Sequence, residues 1–162
     1  MSVSKHPLFL QANVAEAIPV DRQLIARLRA SFALLASRAD ELTALFYERL
    51  FAAHPALRPL FPADMTAQRT KLAQTLAFVV AGLEDREAMR AALERLGRAH
   101  VGYGARPEHY PIVAEILVGA MATTAGAHWS EAQERDWRAA LERIASAMIA
   151  AAAGPGANRL SP

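Results

Sequence analysis

From about residue 21 onward, apolar side chains recur at spacings of three and four, the period of helices that bury one face. Ile25, Leu28, Phe32 and Leu35 mark a first helix, with Asp21 placed to cap its N-terminus. Asp40 opens a second. There Leu42, Leu45, Phe46, Tyr47, Leu50 and Phe51 cover more than one face, which predicts deep burial. His54-Pro55 breaks that helix, Pro55 can start a short one, and Phe61-Pro62 ends it. Thr66 is placed to cap a long helix reaching about Gly82, with Leu72, Thr75, Leu76 and Val79 on its apolar side. Another runs from about Arg86 to His100, with Met89, Leu93 and Leu96 on one side. Gly102 and Gly104 punctuate a turn. Pro107 suits the first turn of the next helix, which Tyr110, Val113, Leu117 and Met121 continue and Gly126 stops. Ser130 with Gln133 forms a capping-box pattern ahead of Trp137, Leu141, Ile144 and Met148.

Residues 1–20 show no clear period, and Pro7 and Pro19 interrupt them. They read as an extension that is loose or lies on the surface; the alternative is a short arm packed on the body through Leu8, Phe9 and Leu10. Gly154-Pro155-Gly156 ends regular structure. The expected organisation is an extension over 1–20, one domain over 21–153 and a tail over 154–162. With no repeat, no α/β alternation and almost no β-branched runs, the fold class is all-α. Uneven helix lengths and the short helix after Pro55 do not suit a regular four-helix bundle. A globin-like arrangement is one option on periodicity alone.

Composition narrows the functions. The chain has 162 residues, 53% of them hydrophobic, enough for a core without metal or disulfide staples. Its net charge is +2, with basic and acidic residues interleaved, which argues against a dedicated nucleic-acid surface. The absence of cysteine excludes disulfides, thiolate metal sites, thioether-linked haem, cysteine-linked bilins and cysteine nucleophiles, and it fits a cytoplasmic location. No run of about 18 apolar residues suggests a membrane span, and Pro7 to Leu10 is too short for a secretory signal.

Among candidate chemical groups, His100 follows Leu96 by four residues and Leu93 by seven, so it ends an apolar helical face beside a Gly-rich turn. A neutral imidazole there suits an axial ligand of haem iron; the alternative is a helix-terminal His facing the dipole and a carbonyl. Tyr47 reads either as a core tyrosine or as a pocket hydroxyl, and Gln68 as a solvated first-turn residue or a pocket amide. His54, His109 and His128 sit near helix ends or turns, where capping or surface roles fit better than ligation.

Two blocks decide between these readings. The stretch LGRAHVGYGARPEHYPIV, residues 96–113, resembles the proximal helix and following corner of bacterial globins, a group including single-domain haemoglobins and the haem domain of flavohaemoglobins. LTALFYERLFAAHPALRPLF, residues 42–61, resembles a second block of the same group, in the right order and with a long helix between. The similarity covers roughly residues 22–150. It implies a 3-over-3 helical sandwich around haem b, with His100 as the iron ligand. It places Phe61 against the haem face, Tyr47 and Gln68 in the distal pocket, Leu72 as their apolar neighbour and Tyr110 on the proximal side. Leu96 lies on the haem-facing side of the proximal helix. Tyr103 and Arg106, in the corner after His100, are candidates for the haem edge or propionates. Moving the distal register back one residue would bury the Lys71 ammonium, which is costly, whereas moving it forward leaves Arg69 as the reserve.

The implied function is reversible O2 binding, with NO and CO as further ligands. Two distal donors favour O2, whose outer atom is polarised, over CO. The alternative is nitric oxide dioxygenase activity with a separate electron-donating reductase, since no Gly-rich dinucleotide motif occurs. Flavohaemoglobin-like pockets also carry a glutamate on the last helix. Here that stretch reads Ile149-Ala150-Ala151-Ala152-Ala153, which implies a less anionic proximal histidine and favours the binding role.

Overall fold

The chain's computed structural model describes residues 21–154, so the expected extension over 1–20 and the tail beyond Gly154 lie outside the described residues. Six α-helices follow one another: α1 (Arg22–Ala36), α2 (Ala39–Ala53), α3 (Thr66–Gly82), α4 (Arg86–Gly102), α5 (His109–Ala125) and α6 (Glu131–Ala152). Two 3-10 turns interrupt them, at Pro55–Leu60 and Gly126–His128. No strand occurs among the described residues, as the all-α pattern predicts.

Several helix ends match the sequence reading. The Asp21 carboxylate accepts the Gln23 N–H at 2.8 Å. Ser130 and Gln133 complete a reciprocal capping box. Gly126 ends α5 with a φ of 61°, a left-handed conformation glycine adopts without steric cost.

Other ends differ. Asp40 does not precede α2 but lies in its first turn with Glu41, where negative charge complements the helix dipole. Arg38 stands ahead of it, grips Glu41 through two hydrogen bonds of 2.7 and 2.8 Å, and donates to the Thr124 carbonyl near the end of α5. Thr66 is the first residue of α3 rather than its cap. Its N–H is taken by the Asp64 carboxylate at 2.9 Å, an Asx turn that supplies the missing acceptor. Pro107 lies in the turn before α5, and Pro111 occupies the first turn itself. Finally, α4 continues past His100 to Gly102. It stops only where Gly104 takes a φ of 88°, and the His100 carbonyl then accepts the Ala105 N–H at 2.9 Å.

Burial divides into two clusters. The larger joins α1, α2, α3, α5 and the first half of α6 around Leu28, Leu35, Leu50, Val118 and Met121. Trp137 belongs to it, donating its indole N–H to the buried Ser31 hydroxyl at 2.9 Å. The smaller holds Met89, Leu93, Ala147 and Met148 between α4 and α6, with Val79 touching both clusters. By length and composition, α5 with its following turn is apolar enough to cross a membrane, which a search for unbroken apolar runs passes over. Its Leu117, Val118, Ala120 and Met121 lie in the larger cluster, as in a core helix.

Candidate functional site

The side expected to be distal is an aromatic box closed by a polar pair. Two-sided burial of α2 brings Tyr47 to 5% exposure. Its ring meets Phe46 edge-on at 4.8 Å, Phe61 edge-on at 5.6 Å and Phe51 stacked at 5.9 Å. Phe51 and Phe61 pack edge to face at 5.2 Å, with the Arg58 guanidinium 5.0 Å above Phe51. Such geometries add to the area each ring buries. From the first turn of α3, Gln68 donates its amide N–H to the Tyr47 hydroxyl at 3.2 Å. Burial pushes the Tyr47 phenol above its ordinary range, and the Gln68 hydrogen bond opposes this only in part. Tyr47 therefore keeps its proton. Since its oxygen accepts from Gln68, that hydrogen remains available to a further acceptor. Leu72, one turn beyond Gln68, packs on the larger cluster.

The side expected to be proximal is built differently. His100 donates its Nδ1–H to the Leu96 carbonyl at 2.7 Å, one turn back in α4. That bond selects the tautomer whose Nε2 carries a free lone pair, the state a metal ligand needs. The Tyr110 ring lies 6.2 Å from the imidazole and the Tyr103 ring 6.1 Å, so both flank it. Burial pushes the Tyr110 phenol upward too. Arg106 lies in an exposed corner, its guanidinium paired with Glu108 at 3.8 Å, and its backbone N–H donates to the His109 Nδ1 at 3.1 Å.

Between α3 and α4 runs a cavity of about 390 Å³ lined by Lys71, Gln74, Thr75, Phe78, Leu96 and Ala99, among others. Its lining includes two cations, Lys71 and Arg95, and no acid. Phe78 leaves 53% of its surface uncovered. At one end the Lys71 ammonium donates to the Tyr103 hydroxyl at 3.3 Å. Lys71, Phe78 and Arg95 line this cavity and are not among the site residues that the sequence reading names. They lie on helix faces that periodicity assigns to solvent, and only the three- and four-residue spacing of Lys71, Gln74, Thr75 and Phe78 hints at a second stripe.

The globin family model matches residues 44–148. The chain belongs to the globin family. A flavohemoprotein of Deinococcus radiodurans is 33% identical over 124 residues, covering 75% of this globin and 31% of that protein. The globin spans about a third of the length of the flavohemoproteins it matches. Among solved structures, a bacterial globin from Campylobacter jejuni has a TM-score of 0.72 at 26% identity, covering 82% of this chain and 96% of the other. An engineered carbene transferase made from a candidate nitric oxide dioxygenase of Rhodothermus marinus gives 0.76 at 27% identity, covering 86% and 97%. The expected globin fold is thus the observed one, and membership of the family implies haem binding.

This globin's residues fit haem. The cavity borders Leu96 and Ala99, in the turn of α4 that leads to His100, and its lining combines apolar side chains with two cations, Lys71 and Arg95, that suit the two carboxylates of haem. His100 offers one imidazole, the number an axial haem position requires. At the end of α6, Ile149 to Ala152 present no carboxylate to the imidazole.

Proposed function

We propose that this globin holds haem b through His100 and binds O2 reversibly on the side where Tyr47 and Gln68 meet. When bound, haem would supply an iron able to take a diatomic ligand. His100 would hold it through Nε2, oriented by the Leu96 carbonyl. Lys71 and Arg95 would pair with its carboxylates, Phe61, Leu72, Leu96 and Tyr110 would pack against it, and Tyr103, bonded to Lys71, would stand near its edge. O2 fits as the ligand because the Tyr47 hydroxyl accepts from Gln68 and so keeps its hydrogen for a polarised acceptor. The Gln68 bond also polarises that hydroxyl, making it a better donor. Phe46, Phe51 and Phe61 restrict water around it.

A donor hydrogen bond to a partly charged ligand is worth about 1–3 kcal/mol, or roughly a 5- to 150-fold change in dissociation rate. Tyr47→Phe and Gln68→Leu should each speed O2 release within that range and alter CO release far less, measured by flash photolysis and rapid mixing. Equal effects on both ligands would show a steric change and remove the hydrogen-bond account.

The second reading is nitric oxide dioxygenase, converting O2 and NO to nitrate with a separate electron-donating reductase. The likeness to the Rhodothermus marinus protein favours it. The missing carboxylate on α6 favours binding, because His100 then donates to a backbone carbonyl alone and pushes less charge toward iron. Sustained nitrate formation with a supplied reductase, at a rate that Tyr47→Phe lowers, would decide for the enzyme.

A further inference from the structure

The peptide group joining Leu96 to Gly97 is held at both ends. Its oxygen accepts the His100 Nδ1–H at 2.7 Å. At its other end the Gly97 α-carbon lies so close to α6 that an added Cβ would sit 2.3 Å from the Met148 carbonyl oxygen and 3.0 Å from the Met148 Cα. Those are backbone atoms within a helix and cannot rotate aside. Around this point Met89, Leu93, Ala147 and Met148 form the small buried cluster. Elsewhere on α4 the backbone has room, since a Cβ on Gly102 would meet nothing within 4 Å.

We propose that α6 sets the orientation of the His100 imidazole through the backbone contact between Met148 and Gly97, making Gly97 a positioning residue of the proximal side. The inference rests on reading His100 as the axial ligand. The chain of contacts is short: Met148 seats Gly97, the Leu96–Gly97 peptide plane follows, and its carbonyl aims the imidazole. Helix propensity alone opposes any damage from Gly97→Ala, because alanine is the better helix former. A loss on that substitution therefore reports the contact.

The experiment compares Gly97→Ala with Gly102→Ala in the haem-loaded protein. It reads the iron–histidine stretching band in the deoxy-ferrous state and the rate of haem transfer to apomyoglobin. Gly97→Ala should move the band and speed haem loss about tenfold, the scale expected of overpacking, while Gly102→Ala leaves both unchanged. The decisive arm repeats Gly97→Ala in a His100→Gly background with imidazole added. That free ligand is not tethered to the Leu96–Gly97 peptide, so its iron–imidazole band should stay where it is. An unmoved band in the first background, or an equal shift in both, would overturn the proposal. Should Gly97→Ala give no folded protein, Ala147→Val wedges the same two helices and is read in both backgrounds against the same outcomes. A normal iron–histidine band in His100→Gly without imidazole would instead overturn the ligand assignment itself.

Discussion

The two sides of the proposed haem site are held by different kinds of contact. On the distal side, side chains meet side chains: Gln68 on Tyr47, and Tyr47 among Phe46, Phe51 and Phe61. On the proximal side, the backbone does the holding: a carbonyl orients His100, and a glycine seats α4 on the main chain of α6. Side chains can be exchanged one at a time without moving the helices that carry them. Backbone seats cannot, because a single Cβ displaces an element. On the proposed reading, ligand preference would therefore be adjustable on one side, while the position of the iron ligand would belong to the fold on the other.

The largest expected effect falls on the proximal side. His100→Ala should abolish haem retention during purification, and added imidazole should restore part of it by occupying the vacated position. Undiminished haem content without imidazole would remove the asymmetry altogether. Leu93→Ala comes next. Leu93 is 0% exposed in the cluster that joins α4 to α6. Its truncation should cost about 2–5 kcal/mol in urea unfolding, with the spread set by how far the two helices close on the cavity. Haem loss should accelerate as well, because the same helices carry His100 and its seat.

The distal pair gives a smaller and more separable effect. If Gln68 strengthens the Tyr47 donor, removing both should cost less than the sum of the single losses. A coupling of about 0.5–3 kcal/mol in O2 dissociation is expected for groups in one network. Strict additivity would mean that each donates independently.

How much of this was legible beforehand follows the same division. The six helices were legible from apolar period, and their ends at Asp21, Gly126 and Ser130 from local capping chemistry, because these signals lie within a few residues of one another. Thr66 was misplaced as a cap because Asp64, two residues earlier, competes for the same N–H. Tyr47 and Gln68 lie 21 residues apart on different helices, so only the family resemblance, carried onto the helix between the two blocks, could pair them. The globin fold was legible from those blocks for the same reason. Gly97 carried no visible signal. A mid-helix glycine reads as a weak helix former, and its closeness to Met148, far along the chain, exists only once α4 and α6 are packed. Lys71 and Arg95 look like ordinary solvated charges until the cavity between α3 and α4 gives them a common rim.

The smallest expected effect concerns alkaline pH. Burial pushes the Tyr47 phenol up against a weaker opposing effect of the Gln68 hydrogen bond, and pushes Tyr110 up unopposed. In the unfolded chain both phenols return to an ordinary value of about 10. Above that value the unfolded state releases protons that the folded state still holds, so unfolding gains as pH rises. The contribution is fully present below about pH 10 and is lost as pH climbs toward the folded values. Tyr47→Phe and Tyr110→Phe should each flatten the fall in urea midpoint across that window. Tyr47→Phe should pay for this with a lower midpoint at neutral pH, where it leaves the Gln68 amide without its acceptor. Tyr110→Phe, whose phenol has no hydrogen bond raising or lowering it, should show the flattening alone. A parallel fall in parent and variants would place the alkaline transition in other groups and leave the buried phenols without a part in it.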